Sequence, residues 1–522
     1  MKLTHDILEV LVLLILLGPL VTGIFGFWLP RFSLTAGSLL SLGATLFLAA
    51  SASAELPVHF TFGLNFYLDA LSVYFLLLTN LVAVFSAWYI DYQGTRDPEL
   101  GSGRALRRFR ALFGIFQFTL VLVPVVNDLF VLWLIIELTT VISVVLLLHG
   151  SAAHAAEASW KYLYATIPGL IFTFLAMILL VSILPANTVL RWSDLLQLAS
   201  GLDPRLISLV FVCALFGYGA KAGLAPLHTW LPDVHGEAPA PVSAMLSGVL
   251  LKTALFALLR WTSITNTALG SRTFTSGLFL AFGLLSIIVA TLAIPKANKF
   301  KRVLAYHSLE HMGIIAFGLG IGTPLAILGA LLHTLNHGLT KGLMFLTFGN
   351  IRHRYTAVAR KESIIASGEG MITAKVLPID EDHIQGVFKA MPASGALLGL
   401  GGLSLVGSPP FSIFLSEFII LWAAIRLAWD GRSAIIITAT GIFVISITLI
   451  FAGLISHLAK LLLDVPPFSV ERERWYHVCP LYILLGLVLL MGLIMPLSGS
   501  LGLWALLDHS ACIVLGGASA CR

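Results

Sequence analysis

Apolar runs of about 20 residues recur along the whole chain, each long enough to cross a bilayer as a helix. Three of these runs hold a lysine: Lys221 in ALFGYGAKAGLAPLHTW, Lys252 in SGVLLKTALFALLR and Lys341 in HTLNHGLTKGLMF. An ionised ammonium at that depth costs on the order of 3 kcal/mol on insertion scales, so such residues mark ion pathways ahead of packing sites. Glu137 in LWLIIELTTVISV and Glu417 in PPFSIFLSEFIIL are stranded in the same way.

Composition excludes a soluble globule: 58% of residues are hydrophobic, 11% are charged, and the mean hydropathy is +0.96. The chain reads as an all-α, polytopic membrane protein. About 14 spans are expected, near 7–29, 32–54, 67–90, 111–127, 129–148, 160–184, 206–233, 240–261, 275–294, 303–321, 325–350, 391–427, 433–457 and 480–503. The first run lacks the basic flank and cleavage site of a signal peptide and reads as a retained helix. The formal charge of +5 lies in short loops and forms no stripe, which argues against nucleic acid. Lys and Arg concentrate in the loops after odd-numbered spans (Arg104, Arg107, Arg108, Lys299, Lys301, Arg302, Arg352, Arg354), so both termini are expected to face away from the cytoplasm. Cys213, Cys479, Cys512 and Cys521 have no metal or cluster spacing, and no cofactor or metal is expected in this chain.

The seventh span (GYGAKAGLAPLHTWLPDVHGEAPAPV) and the twelfth (GLGGLSLVGSPPFSIFLSEFII) are too long for one straight crossing and are interrupted by Gly and Pro, which break helices. Interruptions at matching places in two halves of a chain point to inverted repeats with a site at the midplane. Here the offset of five spans suggests two inverted five-helix repeats with broken helices 7 and 12. The expected division is an N-terminal three-helix segment and loop (1–110), a first repeat (111–261), a second repeat (275–457), and a C-terminal amphipathic segment with the last helix (458–522). Residues 352–389 form the one sizeable polar loop.

KAGLAPLHTWLPDVHGEAPAPVSAMLSGVLLKTALFALLR, KFKRVLAYHSLEHMG, LLHTLNHGLTKGLMF and GSPPFSIFLSEF together resemble the proton-conducting antiporter-like subunits of respiratory complex I, Mrp antiporters and energy-converting hydrogenases. The likeness covers roughly residues 60 to 460 and is greatest to the hydrogenase and formate hydrogenlyase branch. Related subunits also occur in DAB-type complexes that accumulate inorganic carbon. The resemblance implies a proton-translocating subunit, not catalytic alone, in the cytoplasmic (inner) membrane of a bacterial or archaeal-type cell. Its partners would be the lipid bilayer, further membrane subunits and a peripheral cytoplasmic catalytic subunit, either hydrogenase-type or a zinc protein resembling carbonic anhydrase. A Mrp-like cation/proton antiporter subunit is the remaining alternative.

Carried onto matching positions, the resemblance pairs Glu137 with Lys221, makes Lys252 a central relay, and gives Glu417 an exit-side role. His333, His337 and Lys341 recur at i, i+4 and i+8 along one helix face, the spacing of a wire. His228, His235, His307, Glu310 and His311 are candidates for proton uptake or relay. Other readings stand beside these. Glu137 and Lys221 could be a structural pair. His333 and His337 have the spacing of a metal pair, and His307, Glu310 and His311 match the HxxEH zinc-peptidase pattern. That motif follows KFKR and is expected at the cytoplasmic membrane edge. Asp69 reads as a structural cap. Trp88, Trp192, Trp230, Trp261, Trp475 and Trp504 read as interfacial anchors, and LISHLAKLLLDVPPF as an amphipathic segment along the membrane.

Overall fold

The computed structural model describes residues 5–26, 33–51, 57–149, 154–367, 384–431, 433–467, 473, 475–494 and 502–516. Helices α1 (His5–Phe25) and α2 (Ser33–Ser51) lead into a two-stranded antiparallel hairpin, β1 (Val58–Phe62) and β2 (Leu64–Leu68), in which Val58 pairs with Leu68. Then come α3 (Ala70–Gln93), α4 (Arg104–Leu122), α5 (Leu129–His149), α6 (Ala155–Ile183), the short α7 (Trp192–Leu198) and α8 (Pro204–Ala222). Helix α8 stops at Gly223, whose left-handed backbone suits a residue without a Cβ. The chain resumes helix at α9 (Leu231–Glu237), and α10 (Ala240–Met245) runs through a π-helical turn, Leu246–Leu250, into α11 (Leu251–Leu269).

The second half contains α12 (Thr273–Ala293), α13 (Phe300–Ile321) and α14 (Pro324–Ser367), followed by α15 (Val387–Ala390), α16 (Pro392–Leu405), α17 (Ser412–Gly431), α18 (Ala434–Leu463), α19 (Cys479–Ile494) and α20 (Gly502–Leu515). Eleven helices among the described residues are long and apolar enough to cross a bilayer, and α16, α19 and α20 are shorter apolar helices. Burial sorts them. The apolar window within residues 240–269 is 100% buried and that within 70–93 is 89% buried, against 33% for Ala155–Ile183 and 28% for Ala434–Leu463. Helices α3, α10, α11, α13 and α14 therefore form the centre, and α6 and α18 turn large apolar faces outward. Outward apolar surface is stable only against lipid or another membrane subunit.

Several expectations change. Residues 352–367 of the expected polar loop continue α14, while 368–383 lie outside the described residues, as do Cys521 and 495–501 of the last expected span. Leu454–Leu463 of the expected amphipathic segment complete α18, because the run is apolar enough to extend that helix. A further helix, α20, follows the expected last span. Trp230 and Trp261 are fully buried and Trp192 nearly so. They are core residues and not interfacial anchors: the Trp230 ring packs tilted against Tyr162 at 4.5 Å and donates to Ala220 O at 3.0 Å, and Trp192 meets Trp261 edge-on at 6.0 Å.

Asp69 caps α3 by accepting from Ser72 N at 2.9 Å, which agrees with its reading as a cap. It also forms a buried two-bond pair with Arg260 of α11, whose second nitrogen lies 2.8 Å from Asp69 Oδ1. Removing one partner of a buried pair strands the other charge and costs about 3–5 kcal/mol. Asp69→Ala should therefore lower the thermal transition of the purified protein markedly, and adding Arg260→Met should recover most of the loss; equal instability of single and double variants would assign the effect to the cap alone.

Candidate functional site

Positions four apart fall on one face of a helix, and α14 exploits this along its buried length. His333, His337, Lys341, Phe345 and Gly349 form one stripe, with the first three fully buried. The stripe meets the π-helical turn before α11. Lys252 is fully buried, donates to Ser247 O inside that turn, and lies 2.8 Å from His337 Nδ1. A π turn leaves carbonyls off the regular ladder, which is how Ser247 O comes to accept a side chain. Lys341 donates to Leu304 O of α13 and faces the Phe345 ring at 5.9 Å.

Helix α13 closes the cluster. His311 Nδ1 is 2.9 Å from His333 Nε2, its ring stacks 4.6 Å from His337, and His333 Nδ1 is 3.0 Å from Ser416 Oγ of α17. His307 Nδ1 is 2.7 Å from Glu310 Oε2. His307, Glu310 and His311 are at most 2% exposed. The motif lies two to three helical turns inside α13, and its far end packs against the α14 stripe.

Glu417 is half-buried and faces inward. Its carboxylate, with His311 and His333, brings ligand atoms within 4.8 Å of one another, as do His307, Glu310 and His311. These spacings would admit a metal ion, but the ammonium groups of Lys252 and Lys341 lie within electrostatic reach of His311 and oppose a further cation. The donor set fits hydrogen bonding between neutral and singly charged groups better than metal ligation.

At the other break, Lys221 is 3% exposed and ends α8. It donates to Ile136 O and Thr140 Oγ1 of α5, and Thr140 Oγ1 lies 3.5 Å from Glu137 Oε2. Glu137 and Lys221 thus communicate through Thr140 and form no direct ion pair among the described residues, a detail that sequence spacing could not supply. Glu137 is half-buried beside the exposed Leu134, Leu138 and Val141. His235 is fully buried on α9, with no protein partner at either ring nitrogen, and stacks 5.1 Å from Phe345. His228 is half-buried in the connection before α9, and no described contact joins it to the cluster.

Residues 126–444 match the family described as NADH:quinone oxidoreductase/Mrp antiporter, TM. A "Hydrogenase-4 component F homolog" from Methylacidiphilum infernorum is 32% identical over 419 residues, covering 79% of this chain and 80% of its own length. The chain belongs to this antiporter-like family. Hydrogenase-4 component B of Escherichia coli is 29% identical over 367 residues, 67% of this chain but 49% of that protein. A chain of an archaeal membrane-bound sulfane sulfur reductase superposes with a TM-score of 0.79 at 22% identity, covering 98% of this chain and 99% of that one, which shows a shared fold. The protein is thus a multi-pass membrane subunit of antiporter-like type.

The hydroxyl between Lys221 and Glu137 yields a prediction. Thr140→Val keeps the shape and removes the bridge. It should cut proton flux through the assembled complex nearly as far as Glu137→Gln, whereas Thr140→Ser should retain it; normal flux in Thr140→Val would show that the two ends do not communicate through this group.

Proposed function

We propose that this chain moves protons across the cytoplasmic membrane, as the antiporter-like subunit of a larger energy-coupled complex, along Lys221, Lys341, Lys252, His337, His311, His333 and Glu417. The observation that carries this reading is the connected run from Lys252 to His337 at 2.8 Å, and from His311 through His333 to Ser416 at 2.9 and 3.0 Å, in the interior of the bundle. Stacked at 4.6 Å, the His337 and His311 rings join the two parts.

The Lys252–His337 and His311–His333 steps move a proton between heavy atoms within hydrogen-bond reach; the remaining steps need a bridging water or a side-chain movement to close the gap. A protonated Lys252 donates to His337 Nδ1, and the imidazole releases a proton from its other nitrogen, which restores a neutral ring. His311 and His333 repeat the exchange through their own two nitrogens. Glu417, at the inner end of α17 and next to the interruption between α16 and α17, then takes the proton and gives it to the far side. Glu310, paired with His307 and within reach of Lys341, is a side branch able to hold a proton between transfers.

Lys221 reaches α5 through Thr140, so a shift of Glu137 alters the field at the start of the run. Glu137 lies on an outward face, where a carboxylate against lipid is costly. A neighbouring membrane subunit at that face would both cover Glu137 and drive the relay by approaching it. The concentration of Lys and Arg at one end of the bundle supports that end as cytoplasmic and both termini on the opposite side. The chemistry that powers the complex would reside in a peripheral partner, of hydrogenase type by likeness to the hydrogenase-4 components.

Lys252→Met separates transport from packing. Replacing a buried ammonium by an apolar chain of similar length removes a desolvation cost, so stability should be unchanged or higher. Proton flux should fall by about 100-fold, the scale of losing one positioned acid–base group. The intact complex in liposomes, driven by a potassium diffusion potential and followed with an internal pH dye, measures both; unimpaired flux in assembled Lys252→Met would overturn the relay.

A further inference from the structure

At the basic end of the bundle a second set of buried charges lies outside the relay. Glu99 sits in the turn between α3 and α4. It accepts from Arg352 of α14 and lies 3.7 Å from Lys301 of α13, whose side chain is 1% exposed. Lys301 also donates to Ala238 O at the end of α9, at 2.9 Å. Asp97 is 3% exposed. Its Oδ1 accepts from Glu99 N at 3.0 Å and its Oδ2 from Tyr89 Oη at 2.9 Å, and no cation contacts it among the described residues. Its neighbours Arg96 and Pro98 are exposed, so solvent is one residue away.

Three features join this cluster to the relay. Gly349 on the α14 stripe lacks a Cβ where one would fall 2.9 Å from Tyr89 Oη and 2.3 Å from Ala240, so Tyr89 and the start of α10 close directly onto α14. His235, three residues before the carbonyl that holds Lys301, is within electrostatic reach of Lys301, Lys341 and Lys252 together. Phe345 lies between His235 and Lys341, at 5.1 and 5.9 Å from them. A buried imidazole with no described protein partner at either ring nitrogen has one nitrogen open to accept a proton and one to give it, as a transfer point requires.

We propose that Asp97 is the proton-loading group of this chain, taking a proton from bulk water beside the Glu99–Arg352–Lys301 ion cluster and passing it by way of His235 to Lys341. This rests on the relay described above and extends it to the aqueous surface. The two carboxyl groups divide the work. Burial alone would push Glu99 up, but Arg352 and Lys301 outweigh it and hold Glu99 below the ordinary carboxylate value. Glu99 is therefore the fixed anion. Burial and then the charge of Glu99 push Asp97 up to about 7, against the opposing pull of its hydrogen bonds with Glu99 N and Tyr89 and of Lys301. The groups facing Asp97 are Tyr89 from α3, Glu99 from its own turn and Lys301 from α13, while Arg352 and His353 of α14 act on Glu99. A carboxyl so placed exchanges a proton near neutral pH, and holds one less often as pH rises through that value.

Asp97→Asn keeps the cap through its one oxygen and turns its amide nitrogen, a donor, toward Tyr89 Oη, but cannot carry the proton. In the intact complex in liposomes under a potassium diffusion potential, wild-type flux should fall as pH rises through about 7. Asp97→Asn should lower flux about tenfold at pH 6 and flatten that fall, with assembly unchanged. Tyr89→Phe removes a hydrogen bond to the anion, so the fall should move to higher pH; a merely structural role would leave its midpoint in place. Lys341→Met serves as the reference. If Lys341→Met blocks flux while Asp97→Asn keeps the wild-type rate and pH profile, the loading assignment is wrong and the relay stands. If Lys341→Met also conducts normally, both fail.

Discussion

A charge in the interior of a membrane bundle must find a partner, and the kind of partner decides whether its proton can leave. Two solutions occur here. Asp69 with Arg260, and Asp91 with Arg110 at 3.5 Å, pair opposite charges in buried places. A guanidinium holds a carboxylate through a rigid fork of donors, so these pairs are locks. The three buried lysines are different. Lys221 meets a carbonyl and a hydroxyl, Lys252 a carbonyl and an imidazole, and Lys341 a carbonyl and an aromatic face. Neutral acceptors stabilise an ammonium without fixing it, and an amine can return to such a site after giving up its proton.

The irregular backbone follows from that need. Regular helices engage their own carbonyls, which can still accept a second donor, as Ile136 O and Leu304 O do from Lys221 and Lys341; a disturbed ladder or a helix end supplies more. Lys221 stands in the last turn of α8, before Gly223, and Lys252 follows the π turn that frees Ser247 O. Glu417 lies beyond the interruption between α16 and α17, close to Gly407, where any Cβ would collide with its carboxylate. In each case a departure from ideal helix lies beside an ionisable group, and the surrounding apolar helices bear the cost of holding it there.

Charges in apolar runs made much of this legible from sequence, because a lysine in a hydrophobic stretch has few uses. The stripe of His333, His337 and Lys341 followed from helical period alone. What escaped was tertiary. Arg260 stands near the end of an apolar run and looks like a loop residue, yet its partner is 191 positions away in sequence. Asp97 and Glu99 lie in a turn of ordinary polar composition; only the meeting of α13 and α14 with that turn buries them. The HxxEH pattern shows that His307 and His311 share a helix face, whereas their packing against His333 and His337 of α14 is tertiary. The hairpin Val58–Leu68 and helix α20 were missed as well, the first because its aromatic-rich strands blend into the apolar run that follows.

The arrangement of like charges also bears on order of transfer. Lys252 and Lys341 act on one another, and both act on His235, His311 and His337. At low dielectric, two ammonium groups so placed are held less readily than one, so a proton arriving at Lys341 favours departure of the proton already on Lys252 toward His337. Glu417 lies beside His311 and His333 and attracts what the lysines repel. A relay with cations at its start and a carboxyl at its end needs no moving gate between them to give successive protons the same sequence of sites. In the proposed relay a gate would be needed only at the ends, at Glu137 on an outward face of α5 and at the interrupted helix beside Glu417, where both carboxyls are only half-buried.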